Sequence, residues 1–289
     1  MGKIIVSAPA KINLSLHITG KRADGYHLLE SLVAFTEYGD VVEASAADEL
    51  SLEIIGEFAG DLASFPQQEN LVWKAAIALR GLIKKPMGAK ITLSKNLPIA
   101  SGIGGGSADA AATIKALAKL WGISHIPDET ALALGSDVPV CLYAKPAIMR
   151  GVGEQITPAI LPAQKYIVLV NPKIPMATAE VFSSLRGGVA DAAIQFVDSF
   201  WIASASPRND EIGEWRNDLQ PAAIKLLPVI GEIIAAIATT TGCTAASMSG
   251  SGATCFGLYE NKENADKAAQ EIKTKYPHFW CVSTKFMEG

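Results

Sequence analysis

The sequence contains little cysteine, and its charges hardly favour one sign. The four cysteines are Cys141, Cys243, Cys255 and Cys281, and no two of them form a C-x-x-C pair. This spacing lacks the usual patterns of a zinc site or a disulfide framework, and it indicates buried thiols in a reducing compartment. The 25 basic and 29 acidic residues leave a net charge of −4. Because nucleic-acid binding needs a basic surface to neutralise phosphates, we expect no nucleic-acid partner.

Long apolar runs are also missing. No stretch reaches the roughly 18 apolar residues that a membrane-spanning helix needs. The N-terminal sequence MGKIIVSAPAK lacks the apolar core of a signal peptide. We therefore expect a cytoplasmic protein with no membrane contact. Its 289 residues, 49% of them hydrophobic, suffice for one large or two smaller globular domains with an ample core.

Hydrophobic periodicity predicts a mixture of strands and helices. Alternation over residues 8–20 predicts a half-buried strand. Its open face would carry Lys11, Asn13, Ser15 and His17. Residues 135–143, GSDVPVCLY, place Asp137 between a glycine turn and a predicted apolar strand. By themselves these positions are ambiguous, because a lysine on an open face is usually only solvated and a carboxylate at a strand end is either a cap or a functional acid.

The strongest local signal is a glycine-rich loop, residues 97–108, that leads into an alanine-rich predicted helix, residues 108–120. Four of the five residues from Gly102 to Gly106 are glycine, which allows positive φ and close approach of a ligand to the backbone. The unpaired N–H groups and the dipole at the helix start favour an anion such as a nucleotide phosphate. A plain helix cap at Ser107 is the alternative. The loop has neither the lysine of a Walker sequence nor the third glycine of the dinucleotide fingerprint.

Three motifs in the same order resemble the galactokinase, homoserine kinase, mevalonate kinase and phosphomevalonate kinase (GHMP) superfamily. They are APAKINLSL near the N-terminus, PIASGIGGGSADAA at residues 98–111, and SMSGSGATCFGLY near the C-terminus. The resemblance implies an α+β fold of two domains, residues 1–160 and 161–289, with the active site in the cleft between them. It also implies a first domain like ribosomal S5 domain 2 and a second domain of the ferredoxin-like α/β type.

The resemblance further implies phosphoryl transfer, with ATP as co-substrate together with Mg²⁺. Superfamily members use an aspartate near the acceptor hydroxyl and a lysine beside it, and Asp137 and Lys11 stand at these positions. Asp137 would take or orient the hydroxyl proton, and Lys11 would stabilise charge on the transferred group. Asn70 would contact the adenine side, and Ser107 would reach Mg²⁺ or a phosphate oxygen. The remaining residues implied to bind ATP are Leu97, Pro98, Ile99, Ala100, Ser101, Gly102, Ile103, Gly104, Gly105, Gly106 and Ala108.

A finer pattern, PAKINLSLHITGKRADGYH with GSDVPV and RNDL, resembles the superfamily member that acts on cytidine diphosphate methylerythritol. It implies phosphorylation of the 2-hydroxyl of that compound in the non-mevalonate route to isopentenyl diphosphate. Tyr26 and Phe182 would sandwich the cytosine ring, and His27 would read its edge through hydrogen bonds. Asn13 would hold the methylerythritol end, and Thr178 would lie on the same surface.

Two alternative functions stay open. One is another kinase of the superfamily, acting on homoserine, mevalonate or a sugar; the other is a nucleotide sensor without turnover. The base-stacking residues argue against the first alternative, because a small acceptor needs no such pair. The presence of both Lys11 and Asp137 argues against the second. We expect a monomer or a weak homodimer whose partner is the small-molecule substrate.

Overall fold

The computed structural model describes residues 2–84, 87–161, 164–185 and 216–288. The described residues form two compact units, and each unit gathers segments that lie far apart in the sequence. The first unit takes its residues from Met1–Lys11, Tyr38–Ile99 and Gly104–Ala144. The second unit takes its residues from Ile12–Glu37, Ala100–Ile103 and Lys145–Gly289. The domain boundary after residue 160 stays a prediction.

Strands and helices are mixed along the described part of the chain. The strands are β1 (Ile4–Asn13), β2 (His17–Lys21), β3 (His27–Ala47), β4 (Leu50–Ile55), β5 (Gly88–Ser94), β6 (Ala147–Gly151), β7 (Gln155–Pro158), β8 (Tyr166–Asn171), β9 (Cys243–Met248), β10 (Cys255–Tyr259) and β11 (Trp280–Lys285). The helices are α1 (Ala59–Leu62), α2 (Leu71–Arg80), α3 (Gly105–Trp121), α4 (Asp128–Leu134), α5 (Val138–Tyr143), α6 (Thr178–Ser184), α7 (Gln220–Leu226), α8 (Val229–Ala238) and α9 (Lys262–Lys275).

The first unit combines paired strands with a long buried helix. The C-terminal half of β3 pairs antiparallel with β5, which pairs in parallel with β4. Along β5, the buried residues Ala89, Ile91 and Leu93 alternate with less buried ones, as in a strand with one face in the core. Helix α3 packs on α2 and α5. Most of its residues are buried and many are alanine, so the neighbouring helices can approach closely.

The second unit contains a four-stranded antiparallel sheet in the order β11-β8-β10-β9. Counted from β8, the strand order is 4-1-3-2, and the described elements follow the βαββαβ pattern of a ferredoxin-like fold. Helices α8 and α9 cover the sheet and share a core with Val168, Val170 and Cys255. In the same unit the N-terminal half of β3 pairs with β2 and β6. The sheet therefore has the strand order of the predicted ferredoxin-like fold.

The predicted strand over residues 8–20 is wrong in its length. Strand β1 ends at Asn13, and β2 begins only at His17. The predicted open face is also wrong, since Lys11 and Asn13 are each only 4% exposed. Alternation predicts which face a residue occupies, but tertiary packing decides whether the second face is covered as well. Both polar side chains therefore need partners inside the protein.

The predicted strand after Asp137 is a helix, α5. Pro139 stands in its first turn, where a missing N–H group costs nothing. A short apolar run cannot be assigned to a strand or a buried helix by periodicity alone, and this one packs against α3. Asp137 thereby becomes the N-cap residue of α5. A predicted helix over residues 191–200 and a predicted loop over residues 204–211 lie outside the described residues.

Candidate active site

The glycine loop leads into α3 as predicted. Gly104 is the N-cap residue with a φ of 63°, a left-handed conformation that favours glycine. Ser107 lies inside the helix, so the alternative of a plain serine cap is wrong. A Cβ on Gly104 would lie 3.2 Å from the Cβ of Lys11, which shows that the lysine stem lies against the loop. The N–H groups of the first turn of α3 are suited to bind a phosphate.

Lys11 and Asp137 form an ion pair within the first unit. Lys11 Nζ donates to Asp137 Oδ2 over 2.6 Å. The lysine side chain is 5% exposed and the aspartate side chain 33% exposed. Although Asp137 is the N-cap residue of α5, its carboxylate accepts no capping hydrogen bond from the described residues. The structure thus brings the two predicted catalytic residues together and leaves the carboxylate accessible; their roles stay predictions.

A buried ionic cluster, which the sequence analysis missed, lies beside the start of α3 in the same unit. Lys95 Nζ donates to Asp40 Oδ2 and, over 2.7 Å, to Asp109 Oδ2. All three side chains are nearly inaccessible. Asp40 Oδ1 also accepts the backbone N–H groups of Asn96 and Leu97, whereas Asp109 Oδ1 has no partner among the residues described.

The ionic cluster has unusual protonation behaviour. Burial raises the pKa of Asp109 from 3.8 to about 7, Lys95 opposes this rise, and Asp40 adds to it. Burial alone would lower the pKa of Lys95, but the two carboxylates raise it above its usual value. The sequence held one signal for the cluster, opposite charges on either side of the glycine loop at Lys95 and Asp109. Asp40 lies in a strand and gave none.

Asn70 is the N-cap residue of α2 in the first unit. Its side-chain Oδ1 accepts the backbone N–H of Val72 over 2.8 Å. The capping bond uses the amide oxygen and leaves the Nδ2 group as a donor. An amide donor is suited to an acceptor nitrogen of a purine. The structure therefore explains Asn70 as a cap and leaves its contact with ATP a prediction.

The predicted acceptor-binding residues all lie in the second unit. His27 stacks on Phe182, with the ring centroids 5.2 Å apart and the planes at 29°. Tyr26 is 66% exposed. The hydroxyl groups of Thr178 and Ser251 lie 2.9 Å apart. The structure brings His27 and Phe182 together, whereas the sequence analysis paired Tyr26 with Phe182, and the cytosine sandwich stays a prediction.

Two glycine turns of the second unit pack backbone against backbone. Ser249 Oγ donates to the carbonyl of Gly102 over 2.9 Å, and the N–H of Thr254 donates to the carbonyl of Ser101 over 3.1 Å. A Cβ on Gly102 would lie 2.4 Å from the carbonyl oxygen of Ser249. A Cβ on Gly250 would lie 2.6 Å from the carbonyl oxygen of Gly102. Side chains at either glycine would therefore separate the turns.

Comparisons with known proteins agree over nearly the whole chain. Residues 70–145 match the GHMP kinases N terminal domain, and residues 203–278 match the GHMP kinases C terminal family. A 4-diphosphocytidyl-2-C-methyl-D-erythritol kinase of Paramagnetospirillum magneticum is 46% identical, covering 99% of this chain and 100% of the relative. The chain belongs to the 4-diphosphocytidyl-2-C-methyl-D-erythritol kinase family. Membership confirms the predicted enzyme class, a kinase that uses ATP.

Solved structures support the same assignment. The crystal structure of a 4-(cytidine 5'-diphospho)-2C-methyl-D-erythritol kinase is 28% identical with a TM-score of 0.78, covering 99% of this chain and 100% of that chain. Homoserine kinase from Cytophaga hutchinsonii is 20% identical with a TM-score of 0.67, covering 100% of this chain and 96% of that chain; this likeness concerns the fold alone. The predicted two-domain α+β fold of the GHMP kinases is confirmed.

Two observations concern membranes and metal ions. In the described ranges, no helix combines the length and the apolar character needed to cross a bilayer. Over the same ranges, no group of three or more His, Cys, Asp or Glu side chains is placed to hold a metal ion.

Proposed function

We propose that the chain transfers the γ-phosphoryl group of ATP to the 2-hydroxyl of 4-diphosphocytidyl-2-C-methyl-D-erythritol, giving the 2-phosphate and ADP. The observation that carries the proposal is the ion pair of Lys11 and Asp137, in a chain 46% identical to a kinase of that name. The lysine stem also lies against Gly104 of the glycine loop. The pair supplies the proton acceptor and the positive charge that phosphoryl transfer needs.

In the proposed mechanism, Asp137 accepts the proton of the substrate hydroxyl while the hydroxyl oxygen forms its bond to the γ-phosphorus. The bond from the γ-phosphorus to the bridging oxygen breaks, and ADP leaves with that electron pair. Lys11 holds the carboxylate in place and stabilises negative charge on the transferred group. Because only 5% of the lysine side chain is exposed, water screens its charge poorly.

In the proposal, ATP binds to Asn70 and to residues 97–108. The N–H groups at the start of α3 bind phosphate oxygens, and the Nδ2 group of Asn70 donates to the adenine ring. Mg²⁺ bound to ATP would neutralise negative charge on the phosphates, since this ion binds mainly through substrate phosphates with one or two carboxylates. Ser107, in the first turn of α3, offers a hydroxyl to the ion or to a phosphate oxygen.

The acceptor side of the proposal rests on the second unit. Tyr26 and Phe182 supply ring faces for the cytosine, and His27, whose ring packs on Phe182, offers one donor and one acceptor of a neutral imidazole to the edge of the base. Stacking on an aromatic ring contributes about 1–3 kcal/mol per base. Asn13, at the methylerythritol end, and Thr178, on the same surface, complete the proposed set of acceptor-binding residues. We also propose a cytoplasmic enzyme, monomeric or weakly dimeric, and its four cysteines without disulfide bonds suit a reducing compartment.

Turnover with a panel of acceptors tests the substrate. The protein is incubated with Mg–ATP and with the cytidine compound, homoserine, mevalonate or galactose, and ADP release is followed. We expect turnover with the cytidine compound alone. Turnover with homoserine or mevalonate but not with the cytidine compound would contradict the proposal. Binding of ATP without turnover of any acceptor would favour a sensor.

The Asp137→Asn variant tests the mechanism. It removes the proton acceptor and keeps the size of the side chain, so we expect kcat to fall about 10²–10⁴-fold while the affinity for ATP stays unchanged. The matched control is Asp128→Asn, an exposed aspartate in the first turn of α4, which should retain full activity. An Asp137→Asn enzyme with nearly full kcat would show that Asp137 is not the base.

A further inference from the structure

Ser31 is a fully buried serine that hydrogen-bonds to the predicted substrate residue Asn13 within the second unit. Ser31 Oγ lies 2.5 Å from the carbonyl oxygen of Ser15, and Asn13 Nδ2 lies 2.7 Å from Ser31 Oγ. A backbone carbonyl can only accept, so the single hydroxyl hydrogen of Ser31 is donated to Ser15. The Ser31 oxygen can therefore only accept a hydrogen bond from Asn13.

These two hydrogen bonds determine which end of the Asn13 amide is the NH₂ group and which is the oxygen. The amide end that faces Ser31 must be the NH₂ group, so the other end is the carbonyl oxygen Oδ1. The backbone of Asn13 is fixed as well, because its N–H donates to Ser249 Oγ over 3.0 Å. Within the described part of the chain, Oδ1 accepts no hydrogen bond, yet it is not sealed from solvent. Asn13 thus presents an acceptor that is held in one orientation.

Building on the proposed function, we propose that Ser31 is a positioning residue that turns Asn13 so that its Oδ1 accepts a hydrogen bond from a hydroxyl of the acceptor substrate. An amide oxygen pairs with a hydroxyl donor, whereas it repels the oxygens of a phosphate. The residues Ser31 and Asn13 therefore select the alcohol end of the substrate and disfavour an acceptor that already carries a phosphate there. Without Ser31 the amide is free to present its NH₂ group instead.

Steady-state kinetics of serine variants test the inference. In Ser31→Ala we expect KM for the cytidine acceptor to rise about tenfold, the range expected for one lost hydrogen bond, with KM for ATP unchanged. Ser31→Thr keeps the hydroxyl and should restore the acceptor KM. The matched control is Thr240→Val, a buried threonine of the same unit outside the three motifs, whose hydroxyl donates to the carbonyl of Ile237 over 2.7 Å. If Ser31→Ala does not fold, Ser31→Cys keeps a weak donor and a weak acceptor at the same position and gives the same comparison.

Each outcome decides the inference. The inference is supported if the acceptor KM rises in Ser31→Ala, stays near the wild-type value in Ser31→Thr and does not rise in the control Thr240→Val. An unchanged acceptor KM, or an equal rise in KM for ATP, would overturn it, since a merely structural role would affect both substrates. Calorimetric binding of the acceptor, measured without ATP, must give the same ranking of variants. Failure of the unaltered enzyme to turn over the cytidine compound would instead overturn the proposed function.

Discussion

The buried cluster of Lys95, Asp40 and Asp109 makes the stability of the protein depend on pH. Because burial raises the pKa of Asp109 from 3.8 to about 7, the folded state binds more protons than the unfolded state between these values. The free energy of unfolding must then fall as pH rises through this window. Replacing Asp109 with asparagine removes the titrating group and keeps its shape, so the variant should lose this part of the pH dependence.

The size of the effect follows from the two pKa values. One titrating group changes the free energy of unfolding by at most about 1.4 kcal/mol per pH unit. Over the pH interval from 3.8 to about 7, the free energy of unfolding should therefore fall by up to ~4 kcal/mol more in wild type than in Asp109→Asn. Lys95 stays protonated throughout, because the two carboxylates raise its pKa. The comparison concerns the slopes, since the buried amide also shifts the stability of the variant by a constant amount.

Urea unfolding monitored by tryptophan fluorescence at pH 5, 6, 7 and 8 measures the slopes. We expect the curve of free energy against pH to fall more steeply for wild type than for Asp109→Asn. The control is Asp61→Asn at an exposed position. Its curve of free energy against pH should be parallel to that of wild type. Parallel curves for wild type and Asp109→Asn would refute the reasoning, because they would mean that Asp109 is ionised in the folded protein over the whole range.

Two further predictions concern the glycine loop and the adenine side. Gly102→Ala places a Cβ 2.4 Å from a backbone oxygen at a φ of 74°; it should lower the free energy of unfolding by about 2 kcal/mol or more in urea. Gly60→Ala, with open space around it, should not. Asn70→Ala should lower the free energy of unfolding by about 1 kcal/mol, because the helix loses its N-cap. Asn70→Ser keeps a capping side chain, so it should leave the stability unchanged and raise only KM for ATP. An unchanged KM in Asn70→Ser would contradict the adenine contact.

The parts of the site that the sequence predicts best are those whose backbone conformation needs particular residues. The left-handed cap at Gly104 and the close approach at Gly102 need glycine, so a glycine-rich stretch before an alanine-rich helix predicts the loop. The ion pair of Lys11 and Asp137 joins residues 126 positions apart. No local pattern predicts such a contact, and only the resemblance to the superfamily brought these residues together.

Tertiary packing decides what the sequence could not show. No sequence pattern marks Asp40 as part of the ionic cluster. Its role depends on contact with Lys95, which lies 55 residues later in the chain. The assignment of α5 as a strand failed because a six-residue apolar run fits either structure, and contact with α3 decides for the helix. The alternation of apolar and polar residues around Lys11 predicted the strand, but it did not predict that the face carrying Lys11 and Asn13 is buried as well.

Buried polar side chains are concentrated in the motifs that carry the resemblance. Among the described residues, Lys11, Asn13, Asp109, Ser249 and Ser251 are at most 6% exposed, and each lies in one of the three motifs. Burying a polar group costs about 1–3 kcal/mol unless it is hydrogen-bonded, and apolar replacements of similar volume are often no less stable. Stability alone therefore does not explain why these residues are polar. A need for charges and hydrogen bonds that are already oriented before the substrates bind does explain it, and Ser31, which orients Asn13 from inside the core, extends that reasoning beyond the motifs.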